Sequence, residues 1–245
     1  MIATRVRRFS AWSPGVEDAA SWRRWCLDPK ELEREGRPDA AFLPPMLRRR
    51  CSALARIMLT AAFECCEEDE RSGVATVFAS RHGNINESIG LLERLAHRQP
   101  LSPTRFSHSV HNAQAGLYSI AAHNQQASSS IAAQEDTFAS GWLEAATLLA
   151  RAPARPVLLV VGDVPLAATF ATLVDEPEAS YAVALLLEHS PDGSGVCLAL
   201  EPAGEDAHRL RWPDAVEFLR WYETGEPRLV LGSGLRRYVW ERVGS

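Results

Sequence analysis

The chain has 245 residues, 46% hydrophobic and 23% charged, the balance of a soluble globular protein able to bury a sizeable core. A net charge of −5 and a pI near 5.8 exclude a general nucleic-acid binder, although Arg48, Arg49 and Arg50 form a local basic cluster. Arg5, Arg7 and Arg8 are not followed by the apolar core of a signal peptide. No stretch approaches the roughly 18 apolar residues of a membrane span, so a cytoplasmic protein without membrane insertion is expected.

Strand and helix signals alternate without repeats, low-complexity tracts or a Pro/Gly/Ser-rich linker, which predicts one α/β domain over residues 1–245. Residues 4–12 read as an opening strand, 21–25 as a short helix and 38–45 as a loop. Met46, Leu47, Leu54, Ile57, Met58, Ala61 and Ala62 recur at helical spacing and predict a helix from Met46. Its first turns would carry the three arginines, where cations oppose the helix dipole. Residues 74–79 read as a buried parallel strand, 86–97 as a helix, and 107–124 as a small, polar stretch with Gly116 amid helical spacing. A short strand is expected over 128–133. Over 137–150 a helix is expected whose small face (Ala139, Gly141, Ala145, Ala146) permits close packing. Val157 to Val161 is the most hydrophobic run and predicts a strand covered on both faces. Residues 181–188 and 196–200, joined through Pro191-Asp192-Gly193, read as a β-hairpin. Beyond Asp214, Ala215, Val216, Phe218, Leu219 and Tyr222 mark an amphipathic helix, followed by a strand-like or helical piece.

Few chemical constellations stand out. The five cysteines (Cys26, Cys51, Cys65, Cys66, Cys197) are odd in number and lack Cys-x-x-Cys spacing, which predicts reduced, mostly buried thiols. His82, His108, His111 and His123 lack the partners of a metal motif, so ordinary hydrogen-bonded histidines and no metal are expected. There is no Gly-x-Ser-x-Gly elbow, and Gly232-Ser233-Gly234 reads as a turn. Gln134-Glu135-Asp136-Thr137, taken alone, is an ordinary acidic helix start. Arg48 to Arg50 fit either a solvated face or a patch that steers an acidic partner or binds a phosphate.

Three segments in this order carry a resemblance: 45–52 with its arginines, 77–83 ending Ser80-Arg81-His82-Gly83, and 106–116 with His111, Asn112 and Gly116. The chain resembles the amino-terminal half of the β-ketoacyl synthases of the thiolase-like fold, in particular the truncated family of chain length factors in aryl polyene biosynthesis. The resemblance covers roughly residues 1–203. It implies a thiolase-like half, a mixed five-stranded sheet with helices on both faces.

In an active synthase the turn after the corresponding strand presents a cysteine at a helix amino terminus, where N–H groups favour the thiolate. Here Glu135 takes that position, or Gln134 after a one-residue shift; neither carries a thiol. Because the resemblance covers the first half alone, the paired histidines of a synthase's second half are not expected on these residues. The resemblance therefore implies a non-catalytic subunit that pairs with an active β-ketoacyl-ACP synthase as a heterodimer and shapes its acyl tunnel, in aryl polyene or fatty-acid-like (polyketide) biosynthesis. Gln134, Glu135, Phe138, His111 and Asn112 are the expected tunnel wall. Ser128, Ser129, Ser130, Ile131, Ala132 and Ala133 are the expected edge strand at the partner interface, and Arg48, Arg49 and Arg50 the expected dock for acyl carrier protein. No cofactor is expected on this chain, because the carrier protein presents its 4'-phosphopantetheine to the partner. The alternative is residual malonyl-ACP decarboxylation, a priming activity using Gln134 or Glu135 in place of cysteine.

Overall fold

The computed structural model describes residues 3–170, 173, 177–202, 211–232 and 236–244. Its strands are β1 (Ala3–Trp12), β2 (Ala75–Ala79), β3 (Ser128–Ile131), β4 (Val157–Asp163), β5 (Tyr181–His189), β6 (Gly195–Pro202), β7 (Arg228–Leu231) and β8 (Arg236–Val243). They form one mixed sheet in the order β3-β2-β4-β5-β1-β6-β8-β7. β2, β3 and β4 run parallel, and every pairing from β4 outward through β5, β1, β6 and β8 to β7 is antiparallel.

The run Val157 to Val161 becomes β4, whose side chains alternate between two cores. Val157, Leu159 and Val161 face one, Leu158 and Val160 the other. On the first face lie α1 (Ala19–Leu27), α7 (Thr137–Arg151) and α8 (Asp214–Thr224). On the second lie α3 (Ala53–Cys65) and α6 (Ala113–Ala121). The small face expected on α7 is used: a Cβ on Gly141 would lie 3.0 Å from the Ala79 Cβ and 3.1 Å from Leu159 Cδ1. The α/β class with helices on both faces is the one expected, with eight strands instead of five.

Three local expectations are corrected. Residues 181–188 and 196–200 do not form a hairpin, because β1 lies between β5 and β6 and is antiparallel to both. β5 is apolar and buried over Tyr181 to Leu187, so it needs a neighbour on each edge, and β4 and β1 supply them. The Pro191-Asp192-Gly193 turn carries the chain across the start of β1 instead of reversing it. Gly195, at φ 122°, passes where a Cβ would lie 2.7 Å from the Thr4 carbonyl oxygen.

The helix expected from Met46 is broken. α2 (Pro45–Arg48) is one turn, and α3 starts afresh behind Ser52, whose hydroxyl accepts the Ala55 N–H at 3.1 Å. The arginines thus lie in the last turn of α2 and the link to α3, where Arg48 suits the carboxyl end of α2.

The tail supplies β7 and β8, the two strands farthest from β3, and completes the first core. The rings of Phe138 and Trp240 stack at 5.3 Å and 20°, and Phe218 sits 5.2 Å from Phe138 and 5.0 Å from Trp142. Phe138, expected at the tunnel wall, is only 2% exposed and enclosed by this chain's own aromatics. Of Gly232-Ser233-Gly234, the last two residues lie outside the described residues. Among the described residues no helix is long and apolar enough to cross a membrane.

Truncating either stacked ring leaves a large cavity. Phe138→Ala and Trp240→Ala should each cost about 3–5 kcal/mol, a fall in Tm of roughly 10 °C, with the double variant less than additive. Thermal unfolding followed by circular dichroism checks this; a loss below about 1 kcal/mol for Trp240→Ala would mean the tail strands are peripheral.

Candidate functional site

The parallel ladder levels three strand ends: Ala79 of β2 pairs with Ile131 of β3 on one side and Val161 of β4 on the other. The segments that follow, from Ser80, from Ala132 and at Asp163, therefore emerge side by side at the carboxyl end of the sheet, where open α/β sheets place their sites.

A polar knot ties two of these segments. The Ser80 hydroxyl donates to Asp163 Oδ1 at 2.6 Å, the Arg81 N–H to Oδ2 at 3.0 Å and the His82 N–H to Oδ1 at 3.1 Å. Gly83 N–H donates to the same serine oxygen at 2.9 Å. Burial pushes the Asp163 carboxyl up, against the lowering pull of these donors and of His82. His111 Nε2 lies 2.8 Å from the Ser80 carbonyl, and its ring packs over Gly83, where φ is 56° and a Cβ would meet it at 2.8 Å. His111 is thus a wedge holding the β2 loop, while Asn112 beside it is exposed.

Further along, Ser52 donates to Asn84 Oδ1 at 2.8 Å, and Asn84 Nδ2 donates to the His108 carbonyl at 2.7 Å. Burial and the Arg50 charge lower the pKa of His108. Asp163 and Asn84 were not singled out from the sequence. The cue for Asp163 was an acid closing the most apolar run of the chain.

The third segment is the turn into α7. Ala133 N–H donates to Thr137 Oγ1 at 3.0 Å, and the Thr137 hydroxyl donates to the Gln134 carbonyl at 2.6 Å, closing a 3-10 turn over Gln134–Asp136. Gln134 has φ 53°, left-handed backbone that costs a non-glycine residue on the order of 1–2 kcal/mol. Of the two residues left open by the sequence, the strained position is Gln134. Both Gln134 and Glu135 are exposed, whereas Phe138 points into the core.

β3 is one end of the sheet, hydrogen-bonded along β2 alone among the described strands. Ser129 donates to Glu144 of α7 at 2.6 Å, and Thr76 donates to Ser128 at 2.8 Å. Ile120 of α6 is 64% exposed and Leu143 of α7 48%, on the two helices that pack beside β3.

The three arginines divide. Arg48 pairs with Asp39 at 3.4 Å and its carbonyl accepts from Arg56, while Arg49 and Arg50 are exposed. Among the described residues no group of three or more His, Cys, Asp or Glu side chains is placed to hold a metal.

Residues 22–241 match the family model of the β-ketoacyl synthase N-terminal domain. The chain belongs to this family.

The solved structures agree with the synthase assignment. The ketosynthase (ApeO) in complex with its chain length factor (ApeC) from Xenorhabdus doucetiae contains a chain similar at 27% identity and TM-score 0.83, covering 99% of this chain and 100% of that one. The ishigamide ketosynthase/chain length factor matches at 14% identity and TM-score 0.66, over 83% of this chain and 68% of the other. A chain of the AntDE:AntF complex, a type II polyketide acyl-carrier protein with its ketosynthase, matches at 9% identity and TM-score 0.70 over 99% and 100%. The last two speak for the fold alone. No curated protein matches the sequence.

A synthase nucleophile is a cysteine thiolate, and the turn after β3 carries no cysteine. All five cysteines are buried and free, and none lies in the turn after β3. Burial pushes Cys26 and Cys65 up to about 12 and Cys66 to about 11. At pH 8 the native chain should therefore react with a thiol reagent far more slowly than the denatured chain, which releases all five equivalents. One rapidly titrating thiol in the native chain would contradict the burial.

Proposed function

We propose that this chain is the chain-length-factor-type subunit of a heterodimeric β-ketoacyl-ACP synthase. It forms no covalent intermediate; it pairs with a cysteine-bearing synthase and closes part of that enzyme's acyl tunnel. The observation that carries the reading is the strand-to-helix turn itself. The resemblance puts a synthase's cysteine here, whereas this turn exposes Gln134, in left-handed backbone, and Glu135, and neither an amide nor a carboxylate accepts an acyl group as a thiolate does. The end-to-end likeness to a chain of a ketosynthase and chain length factor complex supports the same reading.

The partner edge is β3, continued by Ala132 and Ala133. An uncharged Ser128-Ser129-Ser130-Ile131 edge is a template for another strand, and the antiparallel partner is the synthase's corresponding strand. The tunnel wall is Gln134, Glu135 and Asn112, exposed at the carboxyl end of the sheet, with His111 supporting Asn112 from behind. Phe138 is left out because its ring is already enclosed. Arg49 and Arg50 are the exposed cations for an acidic acyl carrier protein, with Arg48 spent on Asp39. The carrier's phosphopantetheine enters the partner, and the products are polyenes of the aryl polyene or polyketide type.

One observation favours a second reading: an exposed amide in a strained turn is also placed to hydrogen-bond a malonyl thioester, which would make the chain a priming decarboxylase.

A reconstituted pair with carrier protein separates the two. Gln134→Trp should shorten the longest product while Phe138→Ala leaves its length unchanged, and the isolated chain should release no carbon dioxide from malonyl carrier protein. Unchanged product length with reduced yield would make the subunit a mere stabiliser, and carbon dioxide release lost in Gln134→Ala would make it an enzyme.

A further inference from the structure

The segment that leaves β4 closes over the segment that leaves β2. Residues 80–86 run from the end of β2 into α4 (Ile85–Ala96), and the chain then returns through α5 (Pro103–Ser107) to α6. Residues 163–167 clasp this stretch at two points. Asp163 accepts the Ser80 hydroxyl at 2.6 Å and the Arg81 and His82 N–H groups at 3.0 and 3.1 Å. Asn86 Nδ2 donates to the Pro165 carbonyl at 2.9 Å, and its Oδ1 accepts the Ala167 N–H at 3.0 Å. The clasp is itself anchored from the other side: Leu166 N–H donates to Glu178 Oε1 at 3.0 Å, and Glu178 Oε2 pairs with Arg34 at 2.7 Å.

An apolar residue would close a loop as well, and a carboxylate drawn out of water is costly to keep. What the carboxylate adds is direction. Three donors converge on its two oxygens, which fixes Ser80 through His82 within the narrow tolerance of hydrogen-bond geometry. The effect passes on to α6. The fixed loop presents the Ser80 carbonyl to His111 Nε2 at 2.8 Å, and Gly83 leaves room for the His111 ring, which a Cβ would meet at 2.8 Å. The next residue, Asn112, is the exposed N-cap of α6. Asn112 thus takes its place from Asp163 through two intermediates, the β2 loop and the His111 ring.

We propose that Asp163 is a positioning residue for the tunnel wall: acting through His111, it sets where Asn112 stands at the carboxyl end of the sheet, and with it the length at which the partner's product stops. The inference rests on the chain-length-factor reading above. Its chemistry is specific to the carboxylate. Ser80 and His82 share Oδ1, Arg81 takes Oδ2, and all three donate. Asp163→Asn keeps the shape of the side chain but offers a single acceptor oxygen, so its NH2 group faces a donor whichever way the amide is turned.

The test uses the same reconstituted pair with carrier protein and reads the ratio of the next-longer product to the main one. A loosened wall lets chains run on, so Asp163→Asn should raise that ratio about fivefold or more. His111→Leu, which keeps bulk over Gly83 but cannot bond the Ser80 carbonyl, should raise it by a similar factor. Because both act through one loop, the double variant should exceed neither single variant, whereas independent damage would multiply. A wild-type ratio in Asp163→Asn and His111→Leu, with Gln134→Trp still shortening the product, would remove the role of Asp163 and leave the chain-length reading intact. A product length unmoved by all three, or a chain that forms no pair with the synthase, would remove both. Multiplying effects in the double variant would reduce the clasp to ordinary loop structure. His111→Leu at the wild-type ratio overturns the inference by itself, so the test stands even where Asp163→Asn fails to fold.

Discussion

The parallel ladder of β2 with β3 and β4 sets the position of everything at the functional end of the molecule. Ala79, Ile131 and Val161 share one level, so the loops from Ser80 and Ala132 begin beside Gly162 and Asp163, the last two residues of β4. The Asp163 carboxylate gathers the β2 loop with three hydrogen bonds, and His111 wedges the same loop from the α6 side. Through the Asp163 carboxylate, the Ser80 hydroxyl and the His111 ring, these bonds tie the β2 loop to the end of β4 and to the segment before α6. In a synthase the turn after the corresponding strand would present a thiolate. In the chain-length-factor reading, the exposed Gln134 amide at this turn serves shape instead of bond formation.

The two ends of the sheet are treated differently. β7 is defended by charge: Arg228 pairs with Glu201 at 2.7 Å and Glu241 at 3.3 Å, and a charged edge resists another strand. β3 offers serines and an isoleucine, with no charged residue of its own. A chain whose edges were both bare would polymerise, and one with both guarded would stand alone. One guarded edge and one bare edge fit a single strand-to-strand partner.

Much of this architecture was legible in the residues, and the exceptions have physical reasons. Val157 to Val161 announced a strand covered on both faces, and the small residues of α7 announced the close approach seen at Gly141. The hairpin expectation failed because a Pro-Asp-Gly turn marks a change of direction without saying which neighbour the next strand takes; burial of β5 on both faces decided that β1 intervenes. The break before α3 was concealed by an apolar stripe that continues across it in phase, although Ser52 was an available cap. Phe138 was misread because bulk alone does not tell a wall from a core; the deciding partners, Phe218 and Trp240, lie some 80 to 100 residues away in sequence. For the candidate site, the absence of a cysteine from the turn after β3 was readable. That Gln134 and not Glu135 takes the left-handed conformation was not, since it is a matter of one backbone dihedral.

The central claim is that acyl groups never bond to this subunit. Intact-protein mass spectrometry of the assembled pair, after incubation with acyl carrier protein, tests it most directly. The account predicts an acyl adduct on the synthase and an unmodified mass for this chain; an acyl adduct on this chain would contradict it.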